Sequence, residues 1–173
     1  MVLDYFLSAY EFTTGVLLNY SPGASDNERP DFVCQAPDGE LVGLEVTKVV
    51  LPPNVKRRLT TVGETTQLEA YHASEIIFSL VEKKDLKRRS PSWHLPENTI
   101  LVIQVLDTDV DELETFLVDA ELREDFRGFG FREIWIANFC SVEPYRSVTL
   151  FGLYPEKWWG PHERWNQGEK PYG

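Results

Sequence analysis

The sequence predicts one α/β domain, in which helices pack on a central mixed β-sheet of about five strands. Residues 31–50 have the pattern of two strands joined by a tight turn. Residues 64–89 carry an apolar stripe at helical spacing, and residues 99–106 form a short, almost wholly apolar run. With 173 residues the chain is long enough for one ordinary domain, 1–173, with a substantial core.

The first part of the chain predicts a helix followed by a hairpin. Helical spacing of apolar residues predicts a helix over 3–20, and the polar run 21–29 is typical of a connection. Residues 31–36 predict a strand. The turn at Pro37-Asp38-Gly39 follows, because Pro presets φ, Asp bonds its own backbone and Gly accepts the left-handed conformation. Residues 41–50 are rich in β-branched and aliphatic side chains, which predicts a largely buried strand.

The second part alternates helical and strand patterns. Pro52-Pro53 interrupts regular structure, and the helix over 64–89 begins beyond a basic, polar stretch. The run 99–106 is the most apolar, so we expect it at the centre of the sheet. The remaining predicted elements are a helix over 110–123, strands over 131–139 and 148–154, and a Trp-rich tail over 156–173.

Composition limits the class of protein. A hydrophobic fraction of 42% with 13% aromatic residues excludes a generally disordered chain. No apolar run is long enough for a membrane span, and the acidic N-terminus does not resemble a secretory signal. Cys34 and Cys140 are the two cysteines, and neither is in a CxxC motif. We therefore expect a cytoplasmic protein without a membrane partner.

Charge is segregated along the chain. The net charge of −11 argues against a protein that coats nucleic acid nonspecifically, because phosphate binding needs a positive face. Basic residues nevertheless cluster at 56–58 and 83–89, on either side of the long predicted helix. Residues 107–125 are strongly acidic but lack EF-hand spacing, so we interpret them as a solvated helix start. A local nucleic-acid partner remains compatible with this pattern.

Two carboxylates form the candidate site. Glu45 lies within the apolar strand 41–50, where an ionised carboxylate is costly unless it is paired or bound to a metal. Asp31 opens the preceding strand. Because a hairpin brings the two strands together, Asp31 and Glu45 could share a divalent cation.

This pattern resembles a known signature. Pro30-Asp31, thirteen further residues and then Glu45-Val46-Thr47 are similar to the bipartite motif of the PD-(D/E)XK nuclease-like superfamily, in its divergent PDF…EVT form. The resemblance implies a restriction-endonuclease-like fold in which Asp31 and Glu45 hold Mg²⁺ (or Mn²⁺). In that family a Glu on the first helix often completes the metal site, which nominates Glu11. A solvated helix carboxylate explains Glu11 equally well.

The family's catalytic lysine has no direct equivalent here, because Thr47 stands at its usual position. Side chains alternate along a strand, so Lys48 serves only if a bulge redirects it. Glu82-Lys83-Lys84 on the long helix is similar to the EKK of divergent relatives, where a helix lysine replaces the missing one; a solvated basic turn is the other interpretation. The family's core also has a strand between the first helix and the Asp strand, and the sequence predicts none.

Two functions follow as expectations. The first is a Mg²⁺-dependent nuclease, endo- or exonucleolytic, with Asp31, Glu45, Lys48 and Lys83 as catalytic candidates and Asp31, Glu45 and Glu11 as metal ligands. The second is a nuclease-like fold without catalysis that acts as an acidic protein-interaction module, immune or regulatory. Retention of both carboxylates favours the first; the missing strand lysine and the charge of −11 favour the second. The tryptophans of the tail either close over the core or form a binding surface.

Overall fold

A seven-stranded mixed sheet, with its strands in chain order, forms the centre of the structure. The computed structural model describes residues 2–20, 30–53, 65–106, 110–118, 126–139 and 148–162. The helices are α1 (Val2–Thr14), α2 (Thr65–Arg88) and α3 (Val110–Leu117), and the strands are β1 (Asn19–Tyr20), β2 (Phe32–Gln35), β3 (Leu41–Lys48), β4 (Thr99–Val105), β5 (Glu133–Asn138), β6 (Thr149–Tyr154) and β7 (Gly160–His162).

Strands β3, β4 and β5 are parallel and the remaining pairs are antiparallel. The α/β class and the mixed sheet are confirmed, and the apolar run 99–106 forms the central strand β4. The sheet has seven strands rather than the expected five or so, because β1 and β7 were not predicted. These edge strands have two and three residues, which is too short for apolar alternation to indicate them.

Helix α1 ends earlier than its apolar spacing predicted. It stops at Thr14, and Gly15 follows with φ 73°, a conformation that glycine adopts readily at the end of a helix. The Gly15 N–H donates to the Glu11 carbonyl at 2.8 Å. The chain then reverses into β1, which pairs with β2. The region 3–20, predicted as one helix, therefore consists of α1, a helix end at Gly15 and the edge strand β1.

The sheet is covered on both faces, and each face has its own core cluster. On one face α1 packs through Phe6 and Tyr10 on a set that includes Leu44 of β3. On the other face α2 and α3 pack through Ile77 and Leu113 on the opposite side of β4 and β5. Alternation along β3 therefore directs Glu45, the neighbour of Leu44, towards α2.

The described part of the C-terminal segment closes on the sheet. Trp158 lies 5.9 Å from Trp135, and Trp159 lies 5.5 Å from Phe151, both as ring-centroid distances. Gly152 of β6 has no room for a side chain, since a Cβ there would lie 2.0 Å from the Trp158 carbonyl oxygen. These tryptophans contribute to the core. Trp165 and the predictions for 56–58, 107–109 and Cys140 lie outside the described residues.

None of the helices in the described ranges has the length and apolar character needed to cross a membrane.

Candidate functional site

Glu45 occupies the middle of β3, in a fully packed part of the sheet. It pairs with Leu101 of the central strand β4, and only 1% of its surface is exposed. Its neighbour Leu44 lies in the α1-side core, so the Glu45 side chain is on the face that α2 covers. The sequence expectation of a carboxylate in a buried strand is met.

Two lysines of α2 neutralise this carboxylate. Lys84 Nζ lies 2.6 Å from Glu45 Oε1, and Lys87 Nζ lies 3.0 Å from the same oxygen. Residues three apart on a helix share a face, which is why both ammonium groups reach one atom. The Lys84 side chain is 19% exposed and the Lys87 side chain 44% exposed. Lys84 is therefore enclosed in the site, and Lys87 is at its solvent-facing rim.

The second oxygen of Glu45 is unusual. Oε2 is buried and has no hydrogen-bond partner within the described residues. Leaving a buried charged acceptor without a hydrogen bond costs ~1–3 kcal/mol or more of folding free energy. Within the described residues, one oxygen of this carboxylate therefore has two cationic partners and the other has none.

Asp31 is opposite Glu45 when the register of β2 and β3 is continued by one residue. Phe32 pairs with Leu44 in the antiparallel β2–β3 pair. Asp31 precedes Phe32 and Glu45 follows Leu44, so these two residues come opposite each other. Asp31 Oδ2 accepts a hydrogen bond of 2.8 Å from the backbone N–H of Val46. Strand β2 begins only at Phe32, so this bond also satisfies an N–H that the sheet ladder leaves free. Asp31 is exposed to solvent.

Trp93 completes the surroundings of Lys87. The ammonium of Lys87 lies 4.7 Å from the centroid of the Trp93 ring, within the range of a cation–π contact. Trp93 is 7% exposed and belongs to the turn after α2, where its backbone N–H donates to the Ser90 carbonyl at 2.9 Å. Lys87 thus contacts a carboxylate on one side and an aromatic face on the other.

Three other predicted residues are not brought to Glu45. Glu11 is exposed on α1, which packs on the opposite face of the sheet. Lys48 is exposed at the end of β3, and the β3–β4 register runs without a shift, so no bulge redirects it. Lys83 is exposed and lines a cavity of about 280 Å³ together with Pro52 and His72. No group of three or more His, Cys, Asp or Glu side chains gathers within the described ranges.

A second buried carboxylate lies one residue after Lys84. Asp85, 2% exposed, accepts from Arg88 Nη2 at 2.7 Å and from Arg88 Nε at 3.1 Å, both at Oδ1. The Gly130 N–H donates to the same oxygen at 3.2 Å, and Arg89 Nη2 lies 2.6 Å from Oδ2. Burial by itself raises the pKa of Asp85, but these bonds outweigh it and hold the pKa below its usual value. Both of its oxygens have partners.

A third buried carboxylate, Glu133 of β5, lies on the α1 face. Trp135 Nε1 donates to Glu133 Oε2 at 2.8 Å. Burial, followed by the charge of Glu133 and a hydrogen bond to it, raises the pKa of Tyr10. Tyr10 therefore stays protonated and donates to Glu133, which links α1 to the sheet. This network is satisfied internally.

Carboxylate oxygens such as those of Glu45 and Asp31 are donors of the chemical type that Mg²⁺ prefers. This ion is typically held by one or two carboxylates, with waters and substrate phosphates as its other ligands. Asp31, directly before β2, and Glu45 of β3 supply two carboxylates, and Oε2 of Glu45 has no hydrogen-bond partner within the described residues. Lys84 was among the helix lysines nominated from the sequence. Lys87 and Trp93 were missed, although the three-residue spacing of Lys84 and Lys87 was a usable signal.

No protein-family model, curated protein or solved structure matches the chain. The geometry of this site and the sequence motif are therefore the indications of its function.

Proposed function

We propose that the protein is a metal-dependent nuclease that hydrolyses phosphodiester bonds of nucleic acid, with Asp31 and Glu45 as ligands of Mg²⁺ (or Mn²⁺) and Lys84 as the catalytic cation. The observation that carries the proposal is Glu45, a buried carboxylate with two lysines on one oxygen and no partner within the described residues on the other, opposite Asp31 in the hairpin register. The resemblance to PDF…EVT nucleases points to the same residues.

Each side chain has a defined task in this proposal. Asp31 and Glu45 would hold Mg²⁺, which would supply a more acidic water and a charge to offset that of the phosphate. Asp31 does so from directly before β2 and Glu45 from β3, and the Val46 N–H holds the Asp31 carboxylate in place. The ammonium of Lys84, fixed at 2.6 Å from Glu45 Oε1, stabilises charge that develops on the phosphate. It substitutes for the strand lysine that Thr47 replaces.

The order of elements also supports the proposal. Strand β1 stands between α1 and the Asp-bearing strand β2, where the nuclease family has a strand. Helix α2 connects β3 to the parallel strand β4, so its C-terminal part returns along β3 to Glu45. This connection explains how a helix lysine reaches a strand carboxylate.

The alternative is an inactive fold that serves as a protein-interaction module. Its support is that Lys84 and Lys87 already neutralise Glu45, and that Asp31 satisfies a backbone N–H. In that case both carboxylates have structural roles alone. The following experiment separates the two functions.

Cleavage of single- and double-stranded DNA and RNA should be measured with Mg²⁺ and with Mn²⁺ for wild type and variants. We expect Asp31→Asn and Glu45→Gln to abolish cleavage, because each removes a charged ligand. Lys84→Ala should lower the rate by ~10²-fold, the scale of losing one electrostatic donor. Lys48→Ala and Lys83→Ala should have smaller effects, since neither lysine contacts Glu45.

Asp38→Asn is the matched control for Asp31→Asn. Both aspartates are exposed in the same hairpin, and each accepts one backbone N–H, Asp38 from Glu40 at 2.9 Å. We expect Asp38→Asn to cleave like wild type. Absence of divalent-dependent cleavage by the wild type on all four substrates, or equal effects of the two variants, would favour the interaction module.

A further inference from the structure

Lys87 differs from Lys84 although both bind the same oxygen of Glu45. The Lys84 side chain is 19% exposed and its ammonium is the closer, at 2.6 Å. Lys87 is 44% exposed, its ammonium lies at 3.0 Å, and it has a second partner in the Trp93 ring at 4.7 Å. Of the two lysines that pair with Glu45, Lys87 is the more exposed and the more distant, so its ammonium can move into solvent more readily than that of Lys84.

The charges near Glu45 oppose the entry of a metal ion. The carboxylates of Asp31 and Glu45 are balanced by the ammonium groups of Lys84 and Lys87, so the site is close to neutral. A divalent cation entering this site is repelled by both lysines. The repulsion falls if one ammonium moves outwards, and only Lys87 has solvent beside it and an aromatic face to receive it.

We propose that Lys87 is a displaceable counter-ion of Glu45, held at the rim by Trp93, and that it moves onto a phosphate of the nucleic acid when the metal binds. This inference rests on the proposed function and assigns Lys87 and Trp93 to it. Lys87 competes with the metal for Glu45 in the free protein. In the complex its ammonium contributes one phosphate contact beside that of Lys84.

Metal affinity gives a test that is independent of cleavage. Titration of MnCl₂ into the purified protein at low ionic strength should give a dissociation constant for wild type that Glu45→Gln weakens strongly. We expect Lys87→Ala to bind Mn²⁺ about five- to tenfold more tightly, the effect of removing a competitor worth ~1 kcal/mol.

Lys157→Ala is the matched control, because Lys157 also lies over a tryptophan ring, at 4.9 Å from the Trp158 centroid. We expect no change in Mn²⁺ affinity for Lys157→Ala. An equal gain in both variants would assign the effect to net charge and overturn the proposal.

Nucleic-acid binding tests the second half of the inference. A fluorescein-labelled oligonucleotide should be titrated at several salt concentrations, once with EDTA and once with Ca²⁺ in place of Mg²⁺. With Ca²⁺ we expect Lys87→Ala to reduce the slope of log affinity against log salt by about 0.7–0.9, which is one phosphate contact. With EDTA the slope should be unchanged, because Lys87 then remains on Glu45.

Trp93→Phe keeps an aromatic face and Trp93→Leu removes it, so we expect the Leu variant to lose more affinity for the oligonucleotide with Ca²⁺. Circular dichroism checks that both variants are folded. If Trp93→Leu is unfolded, the test depends on Lys87→Ala alone.

The outcomes separate the two proposals. If neither wild type nor Lys87→Ala binds Mn²⁺, the metal site and the nuclease proposal fail, and the role of Lys87 fails with them. If wild type binds Mn²⁺ through Glu45 but Lys87→Ala binds it no more tightly, only the displacement is wrong. A slope change that is the same with EDTA and with Ca²⁺ also overturns the displacement, since it makes Lys87 a permanent phosphate ligand.

Discussion

Glu45 and Asp85 are both buried carboxylates that each pair with two cations at the C-terminal end of α2 or directly after it, yet they are bound differently. Asp85 binds arginines, and Arg88 reaches it through two nitrogens. The Gly130 N–H adds a further bond, so both oxygens of Asp85 are occupied. Glu45 binds lysines through one oxygen and leaves the other without a partner in the described residues.

The difference separates a structural ion pair from a site suited to chemistry. A planar guanidinium with two bonds fixes geometry, and Arg88 also donates to the Pro96 carbonyl at 2.8 Å, which ties α2 to the chain before β4. Lysine ammonium groups are point charges on flexible stems that can rearrange. Burial therefore does not distinguish the two carboxylates; the unsatisfied oxygen and the type of cation do.

The largest contrast is expected in stability. Asp85→Asn leaves the Arg88 guanidinium, with a side chain 10% exposed, without its charged partner, and should lower the free energy of unfolding by ~3–5 kcal/mol. Glu45→Gln leaves Lys84 and Lys87 without their charged partner, but lysine ammonium groups are on flexible stems that can turn towards solvent. It also removes the charge at the unsatisfied Oε2, so we expect a smaller loss, ~1–2 kcal/mol. Urea denaturation of the two variants measures both values. A large loss in Glu45→Gln would make Glu45 a structural residue.

A smaller effect is expected at the loop that contacts Asp85. A Cβ on Gly130 would lie 2.0 Å from Arg88 Nη2, so Gly130→Ala must displace the guanidinium. We expect a loss of ~1–3 kcal/mol in the free energy of unfolding, the usual cost of overpacking. Gly128→Ala is the control, because a Cβ there meets nothing within 4 Å. Equal stability of both variants would mean that the Asp85–Arg88 pair is not held rigidly.

The smallest effect is expected in how stability depends on pH in the acid range. The folded-state pKa of Asp85 is lowered, so its ion pairs contribute stability above the unfolded-state value near 3.8. That contribution is lost as the pH falls below this value and through the lowered folded-state pKa. Asp85→Asn should therefore reduce stability at neutral pH and flatten its dependence on pH in the acid range. An unchanged acid limb in Asp85→Asn would show that other carboxyl groups control acid unfolding.

Much of the fold was predictable because its signals are local. The turn at Pro37-Asp38-Gly39 forms as expected: Gly39 has φ 89°, and Asp38 accepts the Glu40 N–H at 2.9 Å. Helix α2, predicted over 64–89, spans Thr65–Arg88. The edge strands β1 and β7 were missed because pairing with a neighbour, rather than their own composition, makes them strands.

The sequence by itself determined that Glu45 is in a buried strand, that alternation places it on the face opposite Leu44, and that Asp31 enters the same hairpin. Tertiary structure decided which lysines pair with Glu45, because the turn of α2 that packs on β3 depends on how the whole helix packs. That docking brings Lys84 and Lys87 to Glu45 and leaves Lys83 in solvent. Docking of α1 on the other face likewise separates Glu11 from the site, which no local pattern along the first helix encodes.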